Sequence, residues 1–119
     1  MSQRTERVAG EIREVLGDVL VRGEIKDPRV RGAGLITVTH VRISGDLRQA
    51  RVFFTVHAAE DAALDGVRRG LESAAGYLRH QLGERLHLKV TPSLTFEVDQ
   101  TLDQEAHIEA LLREVAKKE

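Results

Sequence analysis

Between residues 4 and 22 the apolar positions Val8, Ile12, Val15, Leu16, Val19 and Leu20 recur at spacings of mostly three and four, with Arg and Glu on the intervening positions. That is the stripe of an amphipathic helix. Gly23 and then Asp27-Pro28 end it, because the residue before a proline is pushed out of the helical region. The stretch KDPRVRGAG, 26–34, with one Pro and two Gly, reads as a loop. The period then changes. LITVTHVRIS, 35–44, is rich in β-branched residues at strand length, and Ser44-Gly45-Asp46 is turn chemistry. In QARVFFTVH, 49–57, Ala50, Val52, Phe54 and Val56 alternate against Arg51, Thr55 and His57, with Phe53 interrupting the polar side, so one face is buried. The short connection predicts an antiparallel hairpin.

Residues 60–88 return to helical spacing through Leu64, Val67, Leu71, Ala74/Ala75, Leu78, Leu82 and Leu86. Gly76 and Gly83 lie inside this stripe, although a glycine in a helix interior costs roughly 1 kcal/mol relative to alanine. Ala74-Ala75-Gly76 therefore marks a helix break. TPSLTFEV, 91–98, predicts a third strand with Leu94, Phe96 and Val98 on one face and Pro92 near its start. Residues 103–117 predict a last helix striped by Ile108, Leu111, Leu112 and Val115, and the final six residues are candidates for fraying. The order is α-β-β-α(kink)α-β-α. Three strands with one apolar face each, and helices to cover that face, give an α+β two-layer sandwich with the other sheet face partly open.

At 119 residues the chain is expected to form one domain, 1–119, and its 41% hydrophobic and 31% charged residues suit a folded protein. Cysteine is absent, which excludes disulfides and thiolate metal sites. The N-terminus, charged from residue 4, has no run of signal-peptide length, and no segment approaches a membrane span, so a cytoplasmic location and no membrane partner are expected. The net charge of −1 is unevenly spread: residues 22–51 carry seven basic side chains against three acidic. A basic face on a near-neutral protein can touch phosphates, or it can be a solvated rim.

Catalysis finds no support. None of the five histidines pairs with another at ligand spacing in a helix, and no serine sits in a nucleophile elbow. There is no GxxxxGK[ST] and no GxGxxG. Asp99, Asp103, Glu105 and His107 can be drawn as a metal cluster, but acids at a helix N-terminus explain Asp103 and Glu105 better. The helical stripes are too short for a coiled coil. The basic residues Arg68, Arg69, Arg79, His80, Arg85 and Lys89 lie on or beside the interrupted helix, and Glu72 and Glu84 alone oppose them between 68 and 89. A helix break frees backbone N–H groups toward an anion, and the small residues Ala74, Ala75 and Gly76 let a phosphate backbone come close. The competing explanation is a packing kink that lets the helix cross the sheet closely. On spacing alone the two stand level.

The runs RTERVAGEI (4–12), KDPRV (26–30), ITVTHVRISGDLRQARVFFTV (36–56), the kinked helix with LR (78–79) and TPSLTFEVD (91–99) resemble bacterial ribosome-binding factor A, over about residues 4–112. The resemblance implies a type II KH-like domain in which a helix–kink–helix marked A-x-G, here Ala74-Ala75-Gly76, replaces the KH loop. It also implies binding to the small (30S) ribosomal subunit and 16S rRNA, and help in late maturation, including processing of the rRNA 5′ end. Cold adaptation, action without a cofactor and release by a GTPase are further implications, and a monomer is expected. Thr101 and His107 stand where this family usually has Ser and Arg. On this basis Arg68, Arg69, Arg79, His80, Arg85 and Lys89 near the kink are expected to contact RNA. Arg4, Arg7, Lys26, Arg29 and Arg31 would form a second basic rim. Asp27 and Asp46 are expected to fix local structure. Two rivals remain: a protein-docking module using Ile36, Val38 and Phe53 on the open sheet face, and a ribonuclease.

Overall fold

The computed structural model describes residues 3–57 and 61–100. Helix α1 spans Gln3–Val21 and buries Thr5, Val8, Ile12, Val15, Leu16 and Val19. It ends in a Schellman arrangement: Gly23 takes φ 68, its N–H donates to the Leu20 carbonyl, and the Glu24 N–H donates to Val19. The segment expected as a loop contains a one-turn helix, α2 (Pro28–Arg31). Asp27 caps it by accepting from the Arg29 N–H at 2.9 Å, and Pro28 supplies a first residue that has no N–H to satisfy. Proline and glycine punctuation signals a break in the chain, and it conceals a helix too short to show a period.

Strands β1 (Ile36–Ile43) and β2 (Gln49–Val56) form the expected antiparallel hairpin, and β3 (Ser93–Val98) lies parallel to β2, giving the order β1-β2-β3. The parallel pair is joined through α3 (Asp61–Ser73) and α4 (Ala75–Leu86). Helices α1, α3 and α4 pack on one face of the sheet. There Phe54 and Val52 are fully buried among Ile12, Leu16, Leu71, Leu78 and Leu82. Each such side chain contributes roughly 1.5–3 kcal/mol by leaving water. The two-layer α+β sandwich is as expected. The helix expected over 103–117 lies outside the described residues.

Strand β1 departs from simple alternation. Val38 pairs with Phe54 and His40 with Phe53, so Thr39 is an extra residue in a β-bulge. The bulge resets the parity, and Ile36, Val38, Val41 and Ile43 all reach the core. This removes two anchors of the protein-docking rival, because Ile36 and Val38 are 7% and 8% exposed and face the helices. The outer sheet face instead carries His40 against Phe53, with ring centroids 5.9 Å apart, and an Arg51–Glu97 ion pair at 2.8 Å.

Candidate nucleic-acid interface

The helix break falls on Ala74. Its N–H is shared between the carbonyls of Gly70 and Leu71, and its own carbonyl starts the next helix by accepting from Leu78. No side chain caps α4. Its first turn therefore presents backbone N–H groups at the positive end of the helix dipole. Ala74 and Ala75 are half-buried against the core, whereas Gly76 is exposed and a Cβ built there would meet nothing within 4 Å. Packing thus explains the two alanines and leaves Gly76 unexplained. Beside the kink, Lys26, Asp27, Ser73, Ala74 and Tyr77 line an open hollow of about 430 Å³ together with Glu24 and Ile25.

Several of the predicted cations are already engaged. Arg68 bonds Asp65 at 2.9 Å and Glu72 at 2.8 Å, and Arg69 pairs with Asp65 at 3.0 Å. The hydrogen bond from Arg68 holds the Asp65 carboxyl below the usual carboxylate range. Arg29 grips Asp27 through Nε and Nη2 and reaches Ser73 Oγ at 3.2 Å, tying α2 to the end of α3 and lowering the Asp27 pKa. Arg85 pairs with Asp18 at 2.7 Å and lies 3.6 Å from Glu24, whose other carboxylate oxygen accepts from the Tyr77 hydroxyl. This group joins α1, the segment after it and α4. The bond from Arg85 lowers the Asp18 pKa, and the bond to Glu24 raises that of Tyr77. His80 pairs with Glu84 on the exposed side of α4.

Arg79 serves as a clasp. Its Nε donates to the Pro92 carbonyl and its Nη2 to Thr91, both at 3.1 Å, fastening the segment that leads into β3. One turn along the same helix, Gly83 faces this segment too, and a Cβ there would stand 3.3 Å from Thr91 Oγ1. Gly83 is therefore a close-packing position.

Arg4, Arg7, Lys26, Arg31 and Lys89 are exposed and have no ion-pair partner among the described residues. The fold separates them. Lys26 stands at the kink, and Arg31 ends α2 beside Gly34 and Leu35. Arg4, Arg7 and Lys89 come together around a cleft at the far end of α4, with Leu47, His87 and Val90. Ser73 and Tyr77 at the kink, and Leu47, His87 and Val90 at the cleft, carry no sequence signal beyond adjacency to the predicted residues. Among the described residues no group of His, Asp and Glu is placed to hold a metal ion, and no helix is long and apolar enough to cross a membrane.

A family model described as ribosome-binding factor A matches residues 4–112. Ribosome-binding factor A of Geobacter sp. (strain M21) is 38% identical over 115 residues, 97% of this chain and 92% of that protein. The crystal structure of ribosome-binding factor A from Thermus thermophilus superposes with a TM-score of 0.63 at 26% identity, covering 79% of this chain and 94% of that one. A homology model of the Thermus thermophilus protein, fitted into the cryo-EM map of a 30S–RbfA complex, gives a TM-score of 0.61 at 25% identity, covering 76% of this chain and 90% of that one.

Proposed function

The chain belongs to the ribosome-binding factor A family, and from that premise we propose that it is a non-enzymatic assembly factor that binds the small ribosomal subunit and contacts 16S rRNA. The observation that carries this reading is the match over residues 4–112, beside a related protein fitted into a 30S complex. Late maturation of the subunit, including processing of the 16S 5′ end, is the task the family resemblance assigns to it. Release by a GTPase, action as a monomer and a part in cold adaptation belong to the same proposal.

The kink supports an RNA-facing role in physical terms. It offers uncapped backbone donors, an exposed Gly76 with no side-chain barrier, and Lys26 at its edge. Phosphates are held by such donors and by unpaired cations more readily than by arginines committed to carboxylates. Lys26, Arg31, Arg4, Arg7 and Lys89 are therefore the primary contacts. Arg68, Arg69 and Arg85 contribute only when an RNA phosphate displaces their carboxylates, and Arg79 acts by positioning. With four aromatics in the chain, base stacking is a minor part of recognition.

Gradient cosedimentation with isolated subunits tests the proposal. Lys26→Ala with Arg31→Ala should reduce association with small subunits at moderate salt while leaving thermal unfolding unchanged. Undiminished association would remove the phosphate contacts assigned to the kink and α2. Incubation of the purified chain with precursor rRNA should yield no cleavage; cleavage would restore the ribonuclease reading.

A further inference from the structure

The first turns of α1, the β1–β2 turn and the connection from α4 to β3 enclose a cleft of about 670 Å³, within the size range of ligand sites. It lies at the end of α4 away from the kink, roughly 16 Å from it by the 1.5 Å rise per residue of a helix. Arg4, Arg7 and Lys89 stand on its rim. Two carboxylates share it. Asp46 is committed to Ser44 Oγ at 2.7 Å and to the Arg48 N–H at 3.0 Å, bonds that hold its pKa below the usual range. Glu11 is half-buried and leaves the rim with a net positive charge of one. Beneath the rim, beside Thr5, lies an apolar strip: Val8 and Ile43 are buried, Leu86 and Leu88 half-buried, and Val90 is 50% exposed.

The backbone here is also unusual. Among the described residues, the two non-glycine positions with positive φ are Leu47 (φ 61) and His87 (φ 50), and both line this cleft. That conformation is unfavourable for L side chains and persists where surrounding structure fixes it, which is often at a functional site. The Arg79 clasp and the close approach at Gly83 hold the same connecting segment, so Lys89 is presented from an anchored loop.

We propose that this cleft receives a single-stranded stretch of RNA, with one unpaired nucleotide against the apolar floor and its flanking phosphates on Arg4, Arg7 and Lys89. The inference rests on the subunit-binding reading and adds a contact separate from the kink. A duplex keeps its bases stacked inside and would leave the apolar floor empty, whereas an unpaired strand satisfies both floor and rim. No Phe, Tyr or Trp lines the cleft, and His87 is its one ring, so shape and charge govern the contact and sequence preference is weak.

The test is fluorescence anisotropy of the full chain with a labelled octauridylate, beside subunit cosedimentation. Arg4→Ala, Arg7→Ala and Lys89→Ala together should weaken oligonucleotide binding at least tenfold and make the log–log salt slope shallower by about two, at about 0.7 per single-strand phosphate contact. A control removing Arg13, Arg22 and Arg42, also exposed but outside the cleft, should lose less than threefold. A blunt RNA duplex of equal phosphate count should bind more weakly and without dependence on Lys89. Equal losses in cleft and control variants, equal duplex binding, or competition by polyglutamate as strong as by unlabelled octauridylate would each overturn the assignment. Should the triple variant fail to fold, Lys89→Glu alone must give the tenfold loss, and unchanged binding overturns the proposal. If wild type cosediments with small subunits and the cleft variant does so equally, the cleft inference falls while the assembly-factor reading stands.

Discussion

Gly70 and Gly76, six residues apart along the interrupted helix, do different things. At Gly70 an added Cβ would lie 2.7 Å from Val30 Cγ2 and 3.2 Å from Arg29 Cβ, so this glycine lets α2 sit directly on α3. Gly70→Ala is expected to lower stability by about 1–3 kcal/mol, as overpacking does, visible as a lower thermal midpoint. Gly76 has free space around it and no positive φ, so Gly76→Ala should raise stability by about 0.5 kcal/mol through the helix preference for alanine. If rRNA approaches the kink backbone, the same variant binds small subunits more weakly. Wild-type binding by a stabilised Gly76→Ala protein would show that the kink makes no close RNA contact. The sequence revealed that Gly76 and Gly83 interrupt a helical stripe. It could not reveal what a methyl group would meet, because that is set by packing against other elements: Val30 of α2 at Gly70, and Thr91 of the connection into β3 at Gly83.

At the scale of elements, what periodicity controls was legible. The alternation Ala50, Val52, Phe54, Val56 and the stripe of α1 need only local spacing, and both faces are buried as expected. The bulge at Thr39 was hidden, because either parity of β1 offers β-branched residues and only pairing with β2 decides between them. The one-turn α2 was hidden because it depends on a cap. Arginine roles were hidden for a similar reason: Arg79 looked like a free cation on a helix face and is bound to two carbonyls of the segment before β3. Arg79→Ala is expected to cost about 1 kcal/mol and to accelerate amide exchange over residues 87–91. Unaltered exchange there would contradict the clasp.

Across the whole molecule, polar side-chain contacts join elements at the surface, notably the ion pairs of Arg85 with Asp18 and Glu24, and Arg29, which pairs with Asp27 and donates a hydrogen bond to Ser73. Asp18, Asp27, Asp46 and Asp65 all titrate below the usual carboxylate range because arginines, or for Asp46 a hydroxyl and a backbone N–H, bond their ionised forms. A depressed folded-state pKa contributes stability above the unfolded value and loses it as pH falls through the folded one. Calorimetric midpoints should therefore hold through neutral pH and drop below about pH 4, the ordinary carboxylate range. Tyr77 has the opposite sign. Its raised pKa contributes stability below about pH 10 and loses it as pH rises further, so Tyr77→Phe should remove part of any alkaline loss.

In the function proposed above, phosphate contacts made by unpaired cations hold this chain to the small ribosomal subunit. Sedimentation of the full chain with isolated small and large subunits over a graded salt series tests it most directly. The chain is expected to cosediment with small subunits at low salt and little with large subunits, with an affinity that falls linearly in log–log form as salt rises. Binding to neither subunit at low and moderate salt, or small-subunit binding indifferent to salt, would contradict it.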